Sequence, residues 1–224
     1  MRSEEYAGRE PVDQAPANSI DSHTPFTRTR WRERRLALDG STLRIGVTGA
    51  QGVGKTTFTR ALASELGLPI IDEMARTVQE LGFPLGLETT LLSQVAMWFS
   101  QFDLEFSQMA YVADRTLFDV LTHSELYAER SHNEQDRLLV NAIGNATACI
   151  IRNHYHLIFY LPIEFPLYDD GIRDSSQAFQ KALDAKTDEL LKLLDIPFVR
   201  ISGSFDQRLE IARQVISERF PNLV

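Results

Sequence analysis

Gly49-Ala50-Gln51-Gly52-Val53-Gly54-Lys55-Thr56 fits the pattern G-x-x-x-x-G-K-[ST] at every fixed position, and Thr57 follows it. The flanks fit too. The apolar run Leu43-Arg44-Ile45-Gly46-Val47-Thr48 precedes the motif, and Thr57-Phe58-Thr59-Arg60-Ala61-Leu62-Ala63 reads as a helix after it. Glycines let the backbone turn sharply and aim successive N–H groups inward. The helix then presents its positive N-terminal end to the same point. In such a cradle Lys55 bridges the β- and γ-phosphates, and the Thr56 hydroxyl ligates Mg²⁺. Residues Gly49 to Thr57 are therefore expected to bind a nucleoside triphosphate. A glycine turn without a ligand is the alternative, and both flanks argue against it.

Working outward, short apolar runs alternate with helical stretches. The runs after Leu43–Thr48 are Leu68–Ile71, Met109–Ala113, Leu157–Leu161 and Phe198–Ile201. Near-continuous apolar runs belong to strands covered on both faces, as in parallel sheets. Helical patterns lie between them at about 56–66, 88–107, 117–128, 134–153, 177–194 and 206–219. The alternation predicts an α/β domain built on a parallel sheet.

Hydrophobic residues at 43% and charged residues at 24% are enough for a packed core and exclude collagen-like or wholly disordered classes. A net charge of −8 argues against a bulk nucleic-acid coat. The single cysteine, Cys149, excludes an internal disulfide and suits a reducing compartment. No apolar run approaches the roughly 20 residues needed to cross a bilayer. The first residues, MRSEEYAGREPVDQ, lack the apolar region of a secretory signal. A cytoplasmic location without membrane contact is expected.

Residues 1–40 read as a flexible, partly basic extension, and residues 41–224 as the domain. The extension is polar to about Thr27 and carries Pro11, Pro16 and Pro25. Arg28, Arg30, Arg32, Arg34 and Arg35 follow, with Trp31 among them. The favoured reading is a solvated lead-in with Trp31 docked on the domain. A phosphate or nucleic-acid contact is the rival.

The phosphate cradle does not name a reaction, because motors, switches and kinases share it. No Asn-Lys-x-Asp is present to read guanine. Ligands of open α/β sheets sit beyond the carboxyl ends of the strands, so the residues there are informative. Asp72, Glu73 and Arg76 follow the second run, and Asp114 and Arg115 the third. Ile70-Ile71-Asp72-Glu73 resembles a Walker B sequence but follows the phosphate loop too closely for that position. Glu73 is the candidate base or hydroxyl-orienting group, with Asp72 the fallback. Asp114 is placed to hold Mg²⁺, and Arg115 to neutralise a transferring phosphate. The alternatives are a surface acid near Arg76 for Glu73 and a mutual salt bridge for Asp114 and Arg115.

The segment Pro162–Gln177 reads as a lid, with Glu164, Asp169, Asp170 and Asp174 in it and Arg173 able to close over the γ-phosphate. The stripe Val95, Trp98, Phe99, Phe102 and Phe106 has helical spacing and reads as core, with part of it a rival acceptor lining. Cys149 reads as a buried small hydrophobe. His154 and His156 read as surface or turn residues, since no third metal ligand is evident.

These pieces together resemble the P-loop nucleoside and nucleotide kinases. The nearest similarity is to small ATP-binding proteins related to ribosylnicotinamide kinases and to bacterial AAA-labelled single-domain ATPases. The matching pieces are Gly49–Thr57, Asp72–Arg76, Tyr111–Asp119, Asp170–Arg173, and Ile201-Ser202-Gly203-Ser204 leading into Arg208. They cover about residues 43–220. The resemblance implies a three-layer α/β/α P-loop fold, with a five-stranded parallel sheet in the order 2-3-1-4-5 and a short lid. It implies ATP with Mg²⁺ as donor and puts Gly203 and Ser204 near the adenine. It places a small nucleoside- or nucleotide-like acceptor among Glu73, Arg76, Arg115 and the long helix that follows. The expected function is transfer of the ATP γ-phosphate to that acceptor. The alternative is a nucleotide-binding regulatory ATPase, or GTPase-like switch, working with a protein or nucleic-acid partner. A homo-oligomer is compatible with either.

Overall fold

A computed structural model describes residues 40–85, 89–131, 133–164 and 177–221. The strands are β1 (Arg44–Thr48), β2 (Ile70–Ile71), β3 (Tyr111–Asp114), β4 (Leu157–Tyr160) and β5 (Val199–Arg200). All pairings are parallel, in the order β2-β3-β1-β4-β5. This is the order implied by the resemblance. The helices are α1 (Lys55–Leu66), α2 (Ala75–Glu80), α3 (Leu91–Phe106), α4 (Leu117–Arg130), α5 (Glu134–His154), α6 (Gln177–Leu193) and α7 (Phe205–Arg219).

Alternate strand residues feed two cores, one on each face of the sheet. Ile45, Val47, Val112, Leu157 and Phe159 pack with Phe58 and Leu62 of α1 and Leu209, Ala212 and Ile216 of α7. Tyr111, Ala113, Ile158 and Tyr160 pack with Phe118 and Leu121 of α4, Ile151 of α5 and Leu190 and Leu191 of α6. Covering both faces explains why the strands read as continuous apolar runs. Register does the rest. Val47 pairs with Asp114 and Thr48 with Tyr160, so β1, β3 and β4 end together and their following loops share one rim.

Several expectations need correction. The third strand is Tyr111–Asp114 rather than 109–113, because Met109 is exposed. The short helix α2 was not expected, since its six residues are too few to show a period. The stripe on α3 is not core: Phe99 is 62% and Phe106 47% exposed, and Val95, Trp98 and Phe102 are only half-buried. The helix instead buries Ser93, Gln94, Gln101 and Glu105. Its aromatic side leans on α5, with Trp98 Nε1 donating to Thr147 Oγ1 at 2.8 Å and Phe106 stacked on His154.

Cys149 is exposed, because α5 turns Gly144, Thr147, Ala148 and Ile151 inward and position 149 falls off that face. His154 and His156 are half-buried and bonded rather than free surface groups. His154 Nε2 lies 2.8 Å from Tyr111 Oη, and His156 Nδ1 accepts from the Arg44 amide at 3.0 Å. Burial pushes both imidazoles down to about 4. The extension, the arginines 28–35 with Trp31, and Arg173 with the central part of the loop 162–177 lie outside the described residues.

Gly46 sits mid-sheet, paired with Ala113 and Ile158. A Cβ there would fall 2.5 Å from Thr116 Cγ2 and 3.3 Å from the Tyr155 ring. Gly46→Ala is expected to cost roughly 1–3 kcal/mol by overpacking, read as a lower thermal midpoint. An unchanged midpoint would show that this contact yields freely.

Candidate active site

The turn between β1 and α1 uses backbone that only glycine adopts cheaply. Gly49, Gly52 and Gly54 have φ of 143°, 75° and 88°. At Gly49 a Cβ would sit 2.3 Å from the Leu161 carbonyl oxygen, so the backbone just past β4 leaves no room for one. The loop's carbonyls are tied. Lys55 Nζ donates to Gly49 O at 2.7 Å and Ala50 O at 2.6 Å. Gln180 Nε2 donates to Gln51 O at 2.8 Å, and Arg208 Nη1 to Val53 O at 2.7 Å. The Gly49 amide donates to Asp119 Oδ1 at 3.3 Å. A loop with its carbonyls fixed this way is pre-shaped for an anion at the start of α1.

A cavity of about 250 Å³ opens there, lined by Gly52, Gly54, Lys55, Thr56, Thr57, Glu73, Asp114 and Arg115. Three strand ends supply it: β1 the loop and lysine, β2 Glu73, and β3 Asp114 and Arg115. Arg115 Nε lies 2.8 Å from Glu73 Oε1 and Nη1 3.9 Å from Asp119 Oδ1. Nη1 is buried with no carboxylate closer than Asp119. An anion in the cavity would satisfy it. Arg115 is also a non-glycine residue at φ 80°, a strained backbone that its surroundings must impose.

Charge in the cavity is finely set. Burial, then the Arg115 charge, push Lys55 down to about 7, while Asp119, Asp114 and Glu73 work the other way. Burial opposes the Arg115 charge, yet Glu73, Asp119 and Asp114 hold its pKa above the usual guanidinium value. Burial raises the Asp114 carboxyl, and a hydrogen bond from Thr56 and the Lys55 charge oppose the rise. Thr56 and Asp114 thus meet as hydroxyl and carboxylate on the cavity wall, a hard-oxygen pair of the type that suits Mg²⁺.

Most residues singled out in the sequence converge here. Asp114 stands on β3 next to β1, the position for a Walker B carboxylate, whereas Asp72 and Glu73 follow the outer strand β2. Asp114 and Arg115 do not merely pair with each other, since Arg115 turns to Glu73. Asp72 and Arg76 are exposed and outside the cavity lining. Gly203 and Ser204 begin α7 on another side of the phosphate loop. Arg208 joins them to it, with Nε donating to Gly203 O at 3.0 Å and Nη2 paired with Glu164 at 2.5 Å.

Sequence reading overlooked Asp119, Gln180 and Arg208 as supports. Asp119 carries a legible signal, the Thr116-x-x-Asp119 box opening α4, where Thr116 N donates to Asp119 Oδ2 at 2.8 Å. Gln180 and Arg208 lie 129 and 155 residues from the loop carbonyls they hold, and no local pattern ties either of them to the loop.

The AAA domain family AAA_28 matches residues 44–208. No curated protein sequence matches the chain. Among solved structures, a NadR protein in complex with NR is similar at TM-score 0.66 and 20% identity, over 81% of this chain and 52% of that one. Deoxyadenosine kinase from M. mycoides with bound dATP is similar at TM-score 0.57 and 17% identity, over 77% of this chain and 98% of that one. Thymidylate kinase from Candida albicans is similar at TM-score 0.55 and 16% identity, over 84% and 96%. The chain spans about half the length of the NadR chains it matches. At these identities the likeness is one of fold. With the family matched across β1, the phosphate loop, β3 and the start of α7, this chain belongs to the AAA domain family.

Proposed function

We propose that this protein transfers the γ-phosphate of ATP to a small nucleoside- or nucleotide-like acceptor. The observation that carries the reading is Glu73 in the same small cavity as Lys55, Thr56, Asp114 and Arg115. A nucleotide switch needs the loop and the metal pair. A carboxylate set beside the phosphate clamp is what an acceptor hydroxyl needs. The acceptor class draws its support from the neighbours, one holding NR and another dATP.

The acceptor oxygen attacks the γ-phosphorus in line, and the bond to the β–γ bridging oxygen breaks to release ADP. Glu73 orients the attacking hydroxyl and receives its proton. Lys55 exchanges the Gly49 and Ala50 carbonyls for phosphate oxygens, and Arg115 spreads the developing charge. Thr56 and Asp114 are the residues that would hold Mg²⁺, which would supply neutralisation of phosphate charge. Asp72 and Arg76 stand on the acceptor side, and Gly203 and Ser204 beside the base. Residues 41–224 form the catalytic domain, with 1–40 as an extension. Catalysis is mainly positioning and electrostatics, since the transfer asks little covalent chemistry of the protein.

Incubation with ATP, Mg²⁺ and a panel of nucleosides and nucleotides is expected to give ADP release that depends on one acceptor class. Equal release with every acceptor and with none would replace the kinase reading with that of a plain ATPase. Lys55→Ala is expected to abolish nucleotide binding in calorimetry, and unchanged affinity would mean that the phosphates lie elsewhere. Glu73→Gln is expected to keep ATP affinity within about threefold while lowering transfer roughly 10²–10⁴-fold, the range of general-base loss. Full transfer by Glu73→Gln would remove Glu73 from the chemistry.

A further inference from the structure

Arg115 needs something to hold its backbone at φ 80°, and helix α3 supplies it from behind. Gln101 Nε2 lies 3.3 Å from the Arg115 carbonyl oxygen and 2.7 Å from Glu105 Oε1. An amide NH₂ has two hydrogens, one for each acceptor. The second Glu105 oxygen accepts from the Tyr155 hydroxyl and, at 3.4 Å, from the Tyr111 hydroxyl. The Leu117 amide donates to the same Tyr155 oxygen at 3.4 Å, which ties the start of α4 to the cluster. Glu105 is fully buried. Its two oxygens thus collect three neutral donors, and its effect is to lock them in place.

Nothing about packing alone calls for an acid here. The same helix leaves Phe99 and Phe106 exposed while this carboxylate goes inside. Burial pushes the group up to about 7, so its ionised form is held against a stability cost. Buried polar groups that are all satisfied rigidify their surroundings. A residue in a sparsely populated backbone region persists only where its neighbours over-determine it.

We propose that Glu105 and Gln101 form a positioning brace that fixes the Arg115 backbone and so aims its guanidinium into the phosphate cavity. The brace rests on the proposed role of Arg115 at the phosphates. It does not touch the substrate. The chain of contacts runs from the Tyr111 and Tyr155 hydroxyls through Glu105 and Gln101 to the Arg115 carbonyl. Arg115 then carries the effect to the bound anion.

The test uses the full chain, with inorganic tripolyphosphate and Mg²⁺ as the calorimetric probe. The variants are Glu105→Gln, Gln101→Met, Arg115→Ala and the double variant Gln101→Met/Arg115→Ala. Circular dichroism melting checks that each folds. Arg115→Ala and Gln101→Met are each expected to weaken binding by roughly 10- to 100-fold, the scale of a misplaced clamp. In the Arg115→Ala background, Gln101→Met is expected to add less than about twofold, because the brace acts only through Arg115.

Equal loss in both backgrounds would overturn the brace, as would wild-type affinity in folded Gln101→Met and Glu105→Gln. Should Glu105→Gln fail to fold, Gln101→Met carries the test, since it cuts the link to Arg115 and keeps an apolar volume. Wild-type affinity in Arg115→Ala would instead overturn the role of Arg115 itself, and the brace with it. Failure of the wild-type protein to bind the probe would overturn the phosphate site.

Discussion

Two buried cations share one cavity, and much of the surrounding structure accounts for that. Lys55 and Arg115 both line a space of about 250 Å³. Each lowers the stability of the other's charge, and burial removes the water that would screen them. The fold compensates with Glu73, Asp114 and Asp119, delivered from β2, β3 and α4. It also lends Lys55 the Gly49 and Ala50 carbonyls as temporary partners. A polyphosphate would supply negative charge where the compensation is least complete. The site is thus strained in the direction of its proposed ligand.

The geometry that makes this cavity comes from one parallel pairing. β1 beside β3 sets Val47 against Asp114, two residues before Gly49 of the glycine turn and one before Arg115. This part of the architecture was legible in the sequence, because its causes are local. The phosphate loop has fixed spacing, the strands are apolar on both faces, and Asp-Arg ends the third run. Glu73 was legible for the same reason, as one of two acids just past a strand. The exposed Asp72 and Arg76 show the limit of that logic, because a two-residue strand ends without dictating which neighbour turns inward.

What sequence could not give was the identity of faces and of distant partners. Apolar spacing on α3 marks a stripe, but spacing does not say whether the stripe meets the sheet, another helix or water. Here the strand ends demand polar neighbours, so Gln101 and Glu105 face inward, while Trp98 and Phe106 reach Thr147 and His154 of α5. Cys149 misleads in the same way, since an apolar stretch in a helix still has an outer face. Arg208 and Gln180 hold the loop across 155 and 129 residues of chain, a separation no local pattern encodes.

The orientation of α3 bears on what the protein is built for. Turning an aromatic helix so that Phe99 and Phe106 meet water forgoes burial worth about 25 cal/mol for each Å² of apolar surface. Placing Glu105 inside adds a desolvation cost on top. Both choices work against stability, and together they turn the Gln101 and Glu105 side of the helix toward Arg115 and the Phe99 and Phe106 side toward water. A scaffold under no constraint beyond folding would exchange these positions. Local rules are broken where a site needs a particular geometry, and the breach is tolerated because the two cores on either side of the sheet carry the fold. The buried polar face of α3 therefore points to the same rim as the phosphate loop, from an unrelated part of the sequence.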